Sequence, residues 1–313
     1  MAAMKLGNHQ AILVTGAGGF IGKDVVARLL KRGWPVKAMV RKTSAAAFPP
    51  HERLQVVVAN MKDADSLRAA MNSVAVVVHL AAAKSDEKDS EDVNVGGARR
   101  LVAACQAAGC KRVINISTMA VKIPRKGAYA RTKNEADKVF QSSGLEVTTL
   151  LPNVVYGEDR GGVFGTVLNF IQKLPLVPVL GNGRWILAPV YIGDVSEAII
   201  SCIETDITKG RVYDIAGPDQ MAFDDFIDRL GSAVNVSRPK LHIPFSIALT
   251  AARVATALLS HPPITVSNVL GSNQNVPIDN EPARRDFGFD PLDFDTGLNA
   301  AMGKIPNPRA LNA

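Results

Sequence analysis

The chain has 313 residues, 47% of them hydrophobic and 5% aromatic, enough to bury the core of one large α/β domain or two small ones. Its formal net charge is +7, but the basic residues are dispersed and no basic run alternates with aromatics, which argues against nucleic-acid binding. Three cysteines, Cys105, Cys110 and Cys202, are an odd number without metal-ligand spacing, so we expect no metal site and predict reduced thiols in a cytoplasmic protein.

Neither a signal peptide nor a membrane-spanning helix is expected from the apolar segments. No long apolar stretch precedes the first predicted strand. No uncharged apolar run reaches the length of about 18 residues that a membrane span needs. Residues 245–259 come nearest, and Arg253 interrupts them. An amphipathic helix packed on the protein is the simpler interpretation, and a helix lying on a membrane surface is the alternative.

Strands and helices alternate through the first half of the chain. Short apolar runs predict strands at 11–14, 36–40, 54–58, 74–78, 112–116 and 145–150, and helical periodicity predicts helices at 20–30, 63–71, 90–108 and 128–141. The run at 74–78 is almost pure valine, which is typical of a central strand. This alternation predicts an α/β fold, with a Rossmann-type doubly wound parallel sheet in residues 1–151.

The alternation becomes irregular after Pro152. Residues 157–165 are rich in turn formers, and Pro175 and Pro178 exclude a regular helix around them. Strand-like segments at 188–192 and 212–215 flank a predicted helix at 194–204. We therefore expect residues 152–313 to form a smaller α/β lobe that binds the substrate and shares the core of the sheet.

A glycine-rich turn joins the first predicted strand to the first predicted helix, with the sequence Val14-Thr15-Gly16-Ala17-Gly18-Gly19-Phe20-Ile21-Gly22. Gly16 would make the turn, Gly19 would let a pyrophosphate approach, and Gly22 would let the helix lie close to the strand. Backbone N–H groups and the positive helix end favour anions there. The turn predicts a dinucleotide site that also includes Gly18, Phe20 and Ile21; a loop that merely collects glycine is the alternative.

Tyr129 and Lys133 lie four residues apart on a predicted helix and therefore share one face. A lysine ammonium near a phenol lowers the pKa of the phenol, so Tyr129 could exchange a proton with a substrate oxygen near neutral pH. Ser117 and Thr118 end the preceding strand, where a hydroxyl could bond the same oxygen. The alternative is an ordinary helix that happens to carry both residues.

The residue after the second predicted strand indicates which cofactor is bound. Strand 36–40 continues into Arg41, followed by Lys42, Thr43 and Ser44, and residues 33–50 contain no acid. An acid there would bond the adenosine ribose, whereas an arginine pairs with a 2′-phosphate. NADP(H) is therefore favoured and NAD(H) is the second choice, unless Arg41 is only a solvated charge.

With these motifs the chain resembles the extended or atypical short-chain dehydrogenases/reductases, the group that includes the NAD-dependent epimerases/dehydratases. The resemblance covers nearly the whole length. Within the group, the segments 189–195 and 216–218 are most similar to the branch of the 39 kDa accessory subunit of respiratory complex I. The matching segments are the glycine turn, Asn60-Met61-Lys62-Asp63, His79-Leu80-Ala81-Ala82, Val93-Asn94-Val95-Gly96, Ser117-Thr118, Tyr129 with Lys133, and Pro152-Asn153-Val154-Val155-Tyr156-Gly157.

The resemblance implies a role for each of these motifs. Tyr129 is the proton donor or acceptor, Lys133 also holds the nicotinamide ribose, and Asn94 is the usual helix-borne asparagine of the catalytic set. Thr118 matches the catalytic Ser/Thr of the family, with Ser117 beside it. The implied cofactor contacts outside the glycine turn are Asn60, Met61 near the adenine, Leu80, Ala81, Ala82, Lys133, Pro152 and Val155. His79 is more simply interpreted as a core histidine at a strand end.

Departures from the family pattern concern the substrate. Sugar-nucleotide epimerases carry L-R-P-x-N-V-Y-G, whose asparagine helps bind a diphosphate, and the unmatched positions here are Leu151 and Val154. Leu187 is the best match to a further arginine of that group, and Tyr191 replaces its usual histidine. Tyr129 follows Thr118 by 11 positions, which is about half the spacing that is common in sugar epimerases. We expect weak binding of a diphosphate unless Arg160 or Arg184 substitutes.

The leading hypothesis is a cytoplasmic NAD(P)-dependent oxidoreductase that acts on a small carbinol or ketone, with nucleotide sugars among the candidate substrates. Epimerisation would be the same hydride step run twice without release of the cofactor. The alternative is an accessory or redox-sensing protein that binds NADP(H) without turnover. A homodimer is left open.

Overall fold

A seven-stranded sheet crosses the middle of the protein in a computed structural model. The structure describes residues 10–41, 48–83, 87–158, 161–258, 266–270 and 274–309. Within these ranges, the side chains of 87–88, 256–258 and 267–268 are not described. The strands are β1 (Ala11–Thr15), β2 (Val36–Val40), β3 (Leu54–Val58), β4 (Val74–His79), β5 (Arg112–Ile116), β6 (Glu146–Pro152), β7 (Val155–Tyr156), β8 (Val177–Leu180), β9 (Ile186–Leu187), β10 (Val190–Tyr191), β11 (Val212–Ile215), β12 (Met221–Ala222) and β13 (Lys240–Ile243). The central sheet has the order β11-β6-β5-β4-β1-β2-β3 and is parallel throughout.

Helices connect these strands and cover the sheet. They are α1 (Phe20–Lys31), α2 (Ala64–Ala70), α3 (Glu87–Ser90), α4 (Gly97–Ala107), α5 (Ala128–Gln141), α6 (Gly162–Lys173), α7 (Ile192–Glu204), α8 (Phe223–Ala233), α9 (Phe245–Leu258), α10 (Val266–Leu270), α11 (Glu281–Phe287) and α12 (Phe294–Ala301). Consecutive residues of a strand point to opposite faces, so a strand buried on both sides is apolar throughout. In β1, Ile12 and Val14 pack with α1 and α7, whereas Leu13 packs with α2, α4 and α5.

β1 and β4 lie side by side at the centre of the sheet, with β2 and β3 beyond β1 and the later strands beyond β4. In doubly wound sheets, ligands bind outside the carboxyl ends of the strands at this reversal of strand order. The glycine turn follows β1, and Leu80 follows β4, so both stand at that point. The predicted Rossmann-type sheet is therefore confirmed, and its topology fixes where a ligand would bind.

The second half of the chain builds its own apolar cluster and also contributes to the core of the sheet. Tyr156 lies at the centre of that cluster, its ring 5.1–5.8 Å from the rings of Phe164, Tyr191 and Phe294. α7, in contrast, packs on the sheet beside α1 through residues such as Ile199. The two halves thus share one core.

Most predicted elements of the first half occur with small shifts at their ends. β1 and β4 each extend one residue further, to Thr15 and His79. The predicted helix 63–71 begins at Ala64, because Asp63 is its N-cap and its carboxylate accepts hydrogen bonds from the backbone N–H groups of Asp65 and Ser66. The 74–78 prediction of a central strand is confirmed by β4.

Three predicted segments need correction. The turn-rich assignment of 157–165 is wrong at its end, because α6 begins at Gly162 and buries an apolar face that includes Phe164 and Leu168. The strand-like segment 188–192 shortens to β10, since Ile192 already begins α7. The helix predicted at 90–108 is interrupted by a π-helical turn over Glu91–Gly96, between α3 and α4.

Residues 245–258 form α9, which packs against α10 through Ala248 and Ala252, as the simpler interpretation of this segment predicts. Its opposite side carries two exposed apolar residues, Ile247 and Val254, seven positions apart. Within the described ranges, no helix combines the length and the apolarity needed to cross a bilayer.

Candidate active site

A cavity of about 480 Å³ opens where the central strands end. One part of its wall, here called the glycine half, consists of Gly16, Gly19, Phe20, Ile21, Gly22, Leu80 and Ala82. Another part, here called the apolar half, consists of Met119, Ile123, Val154, Val163, Trp185, Ile186, Leu187 and Val276. Ser117, Thr118, Tyr129, Lys133, Pro152 and Val155 also line it, so most of the predicted site residues meet in one space.

The glycine half is shaped by backbone that leaves no room for side chains. Gly16 has φ +67°, and a Cβ there would stand 2.8 Å from the Ala81 nitrogen. A Cβ on Gly22 would stand 2.4 Å from the Gly16 carbonyl oxygen, so Gly22 allows α1 to begin directly against the turn. Gly19 caps α1 without any side-chain bond, and the first turn carries no acid. The first N–H groups of α1 therefore face the cavity without a competing anion, which fits a pyrophosphate.

Behind the glycine half, a buried threonine–histidine pair fixes the loop after β4. The Thr15 hydroxyl oxygen accepts hydrogen bonds from the N–H groups of Leu80 and Ala81, both at 3.2 Å, and lies 2.9 Å from His79 Nδ1. His79 is 1% exposed, and burial together with the nearby Lys133 charge lowers the pKa of His79 to about 3. The interpretation of His79 as a core histidine is confirmed.

α5 carries Tyr129 and Lys133 along the floor of the cavity. Lys133 is 2% exposed, and its ammonium donates a hydrogen bond to the Ile116 carbonyl at the end of β5, at 2.8 Å. This bond holds α5 against the strand end, where Ser117 and Thr118 also lie. The predicted catalytic hydroxyls and the lysine thus surround the same part of the cavity.

The prediction that Lys133 lowers the pKa of Tyr129 is wrong for this structure. Burial raises the pKa of Tyr129 to about 12, and the negative charge of Asp137 adds to that rise. Asp137 follows Lys133 by four residues on the same face of α5, so its charge opposes that of the ammonium. The phenol is therefore protonated at neutral pH.

The sequence analysis missed Asp137, although its spacing from Tyr129 and Lys133 was visible. Asp137 is 6% exposed, and its carboxylate accepts hydrogen bonds from the Ser117 hydroxyl at 2.5 Å and the Asn115 amide at 2.8 Å. Burial raises the pKa of Asp137, and the Lys133 charge partly offsets that rise. Ser117 is thereby directed toward Asp137 rather than into the cavity.

Thr118 differs from Ser117 in where its hydroxyl is directed. It precedes a short 3₁₀ helix, Met119–Lys122, and its side-chain oxygen accepts a hydrogen bond from the Ala120 N–H at 3.3 Å. A hydroxyl that accepts one bond still has its proton to donate. Thr118 is half-buried beside Tyr129 in the cavity wall, which suits it to bond a ligand oxygen.

Comparison with known proteins agrees with this geometry. The family model described as NAD(P)H-binding matches residues 16–169. The sterol demethylase protein B of Methylococcus capsulatus is 33% identical over an alignment of 260 residues, and the alignment covers 74% of this chain and 77% of that protein. The chain belongs to the extended short-chain dehydrogenase/reductase family. It therefore has an NAD(P)-binding domain, and the predicted family is confirmed.

Three further proteins show how broad the likeness is. A mitochondrial NADH dehydrogenase [ubiquinone] 1 alpha subcomplex subunit 9 of Arabidopsis thaliana is 28% identical over 75% of this chain, as the predicted complex I likeness requires, and the chain spans 60% of that relative's length. A farnesyl-dihydroquinoline-oxide ketoreductase of Stigmatella aurantiaca is 24% identical, covering 88% of this chain and 90% of that one. The fold matches the NAD-bound dTDP-glucose 4,6-dehydratase of Streptomyces venezuelae with TM-score 0.77 and 20% identity, over 94% of this chain and 96% of that one.

Several residues proposed from the family motifs do not line the cavity. Asn94 lies in the π-helical turn, where its amide bonds the Ala83 backbone at 2.8 and 3.1 Å and the Thr132 hydroxyl at 2.9 Å. Met61 is buried under α4, 3.0 Å from where a Gly97 Cβ would stand. The others outside the wall are Gly18 in the glycine turn, Ala81 beside Gly16, and the exposed Asn60 and Arg41.

The positions that depart from the sugar-nucleotide members lie in or near the apolar half of the cavity. Val154 and Leu187 line the apolar half, and Leu151 packs in a small cluster behind it. Arg184 is exposed and does not line the cavity, while Arg160 lies outside the described residues. The part of the wall that lies near these positions is thus apolar.

The sequence analysis also missed much of the apolar half. Val163, Trp185, Ile186 and Val276 come from α6, the loop before β9, β9 itself and a segment 90 residues further on. No local spacing links these residues. Only the arrangement of the second half of the chain around the strand ends brings them together.

Proposed function

We propose that the chain is an NAD(P)-dependent oxidoreductase that interconverts a ketone and a carbinol. The observation that carries this proposal is the single cavity in which a glycine cradle and the group Thr118, Tyr129 and Lys133 face the same space. The name of the Stigmatella aurantiaca relative, a ketoreductase, supports the same reaction class. Epimerisation, which repeats the same step, is compatible with this site.

The cofactor would be held by backbone more than by side chains. The pyrophosphate would lie at the glycine half, where Gly16, Gly19 and Gly22 leave room, and the further contacts proposed are Gly18, Phe20, Ile21, Asn60, Met61, Leu80, Ala81, Ala82, Lys133, Pro152 and Val155. Bound there, the nicotinamide supplies or accepts a hydride at the substrate carbon.

Proton transfer to the substrate oxygen is assigned to Tyr129. The phenol is protonated at neutral pH and therefore has the proton that reduction of a ketone requires, although its raised pKa makes it a weaker acid than an ordinary phenol. Thr118 would donate a hydrogen bond to the same oxygen. Lys133 would hold the nicotinamide ribose, with Ser117 and Asp137 behind it.

Asn94 is proposed as a positioning residue. Its amide joins the loop after β4 to α5 by way of Thr132, one residue before Lys133. Interruption of a helix by a π turn is frequent at functional sites. The turn at Glu91–Gly96 lets the Asn94 side chain reach both partners.

NADP(H) is proposed as the preferred cofactor. Arg41 is exposed directly after β2, and no acid occurs between residues 33 and 50 to accept bonds from the ribose hydroxyls. Lys42, Thr43 and Ser44, which the sequence analysis places beside Arg41, lie outside the described residues. A planar guanidinium matches the geometry of a 2′-phosphate.

A second candidate is an accessory or redox-sensing protein that binds NADP(H) without turnover. The likeness to the complex I subunit favours it. The presence of Tyr129 and Lys133 in the cavity favours the enzyme. The two differ in whether any ketone oxidises bound NADPH.

Four further proposals concern the context of the protein. The buried thiols Cys105, Cys110 and Cys202 suit a cytoplasmic protein. The substrate is a small molecule, and residues 152–313 form the lobe that binds it while residues 1–151 bind the cofactor. A homodimer is the proposed assembly. Contact of α9 with a membrane surface would use the exposed Ile247 and Val254.

Removing the phenol proton tests the mechanism. Tyr129→Phe keeps the ring, and loss of a general acid typically costs about 10²–10⁴-fold in rate. We expect a fall of that order in kcat for NADPH oxidation by a ketone, with the Kd for NADPH little changed. Tyr156→Phe is the matched control, since Tyr156 is also buried but lies outside the cavity wall. Full activity of Tyr129→Phe would exclude the assigned role.

A further inference from the structure

We infer that the substrate is an apolar ketone or carbinol, with a single reacting oxygen and a hydrocarbon body, rather than a nucleotide sugar. This inference rests on the proposed function and names the substrate class of the same site. It is carried by the apolar half, which lines the same cavity as Thr118 and Tyr129. Carbon atoms from eight side chains form that part of the wall.

Among the described residues, the apolar half has no charged side chain that could bind a diphosphate in addition to the one proposed at the glycine half. Among the described residues that line the cavity, Lys133 is the one charged side chain. Its ammonium bonds the Ile116 carbonyl, and the carboxylate of Asp137 lies behind it. A buried diphosphate needs cationic or N–H partners to offset its loss of hydration. The apolar half has aliphatic and indole groups where such partners would stand.

The two amide side chains in the wall are occupied by the protein itself. The Asn153 oxygen accepts hydrogen bonds from the N–H groups of Val154 and Ala188, at 2.8 and 3.1 Å. The Gln274 amide bonds both backbone groups of Arg125, at 2.9 Å each, and its nitrogen also donates to the Leu270 carbonyl. These amides therefore fix the shape of the wall instead of offering bonds to a sugar.

The apolar side chains are held in place by packing outside the cavity. The Trp185 indole stacks on Phe223, with ring centres 4.6 Å apart. Leu187 is 1% exposed and pairs through β9 with Met221 of β12. A long polar side chain in place of Leu187 would disturb this packing. Leu187 is therefore apolar because it belongs to the core of the second half of the chain as well as to the cavity wall. A preformed apolar wall favours a ligand that buries methylene groups.

A series of straight-chain methyl ketones, from butanone to nonanone, tests this inference. The ketones are titrated by calorimetry into the NADP⁺-loaded Tyr129→Phe protein, which separates binding from turnover. Burial of each methylene is worth about fourfold in affinity, so the Kd should fall by about that factor per carbon until the cavity is filled. UDP, titrated in the same way, should show no binding at millimolar concentration. A Kd independent of chain length, or UDP binding tighter than the longest ketone, overturns the inference.

A charge placed in the apolar half gives a second, independent readout. Val163→Asp adds a carboxylate at a wall position that is 44% exposed, so the fold should tolerate it. The Kd for nonanone should rise by about tenfold or more, because a carboxylate must lose hydration beside the alkyl chain. Val254→Asp on α9 is the matched control, 52% exposed and outside the wall, and should leave that Kd unchanged. Equal effects of the two variants also overturn the inference.

A different result would contradict the proposed function while leaving the substrate class intact. If wild-type protein binds the longer ketones with the expected chain-length dependence but none of them oxidises NADPH, the substrate class survives and the catalytic assignment does not.

Discussion

The two halves of the cavity are built by different means. The glycine half is made of backbone: it depends on the absence of Cβ atoms at Gly16, Gly19 and Gly22 and on the N–H groups at the start of α1. The apolar half is made of side chains from distant parts of the chain: the segment after β5, the residue before β7, α6, β9 with the residue before it, and the segment before α11. The first kind of wall depends on few side-chain identities, whereas the second depends on many.

Because of this difference, binding of the cofactor depends on the backbone, whereas the choice of substrate depends on side chains. A pyrophosphate needs N–H donors and open space, and backbone supplies both whatever the neighbouring side chains are. Substrate choice needs particular side chains, and loops on a rigid scaffold supply them. A substitution in one half should therefore leave binding at the other half unchanged, and substitutions around the glycine half should affect only the cofactor or the fold.

The largest effect is expected from closing the glycine half. In Gly19→Val the Cβ would stand 3.1 Å from the Gly16 oxygen, and the two methyl groups would occupy the space for the pyrophosphate. Binding of NADPH should weaken at least about 1,000-fold, which corresponds to about 4 kcal/mol. Fluorescence titration measures the Kd, and circular dichroism checks that the protein is still folded. Val163→Ala, in the apolar half, should leave the Kd for NADPH in place; a similar loss there would mean that the halves are not separate.

A smaller effect is expected from the buried histidine behind the glycine half. The unfolded chain takes up a proton on His79 below about pH 6.5, whereas the folded protein does so only near pH 3, because burial lowers the pKa. Stability contributed by the neutral imidazole is therefore complete above pH 6.5 and is lost as the pH falls toward 3. The loss approaches about 1.4 kcal/mol per pH unit within that window.

Urea unfolding at several pH values between these limits measures this contribution. His79→Gln should be less stable than wild type at neutral pH, and its free energy of unfolding should depend less steeply on pH. If both proteins lose stability with the same slope, His79 is not the group responsible.

The smallest effect concerns the choice between NADPH and NADH. Arg41→Ala removes the proposed partner of the 2′-phosphate, and loss of one charge-assisted bond is worth about tenfold in affinity. Wild type should bind NADPH more tightly than NADH, and the variant should lose most of that preference. Arg284→Ala removes an equal charge from the exposed surface of α11 and should keep it. Equal affinities of wild type for the two cofactors would remove the argument.

The glycine half could be predicted from sequence because its determinants are local. Gly16 and Gly22 lie six residues apart, and the strand and helix on either side of them have clear apolar patterns. Tyr129 and Lys133 were likewise predictable as neighbours from helical spacing alone. In each case a single turn of chain fixes which atoms face the cavity.

The pKa of Tyr129 could not be predicted in the same way. The spacing of Lys133 suggested a lowered pKa, but burial and Asp137 raise it to about 12. Burial is a property of the assembled protein, since it depends on how α5 packs against α4 and the π-helical turn before it. Helical spacing identifies neighbours along one helix but not what shields them from water.

From the sequence, only the lack of diphosphate-binding side chains in the apolar half could be predicted, and not which residues form its wall. Leu151, Val154 and Leu187 stand where sugar-nucleotide epimerases have arginine or asparagine, which indicated a poor diphosphate site. What replaces that site, a wall that includes Trp185 and Val276, is set by contacts between segments about 90 residues apart. No periodicity in the sequence carries that information.

The position of α7 has a consequence for how the protein is synthesised. α1 and α7 pack together on one face of the sheet, and Val195, Ile199 and Ile203 cover the same cluster as Val14 and Val26. α7 ends at Glu204, about 50 residues after β6, so a nascent chain that has just completed its first six central strands still exposes an apolar sheet face. At about 5–20 residues per second, a ribosome leaves the part of that face beside α1 uncovered for several seconds. A fragment cut at residue 151 would lack α7 permanently, and should aggregate rather than persist as a free nucleotide-binding domain.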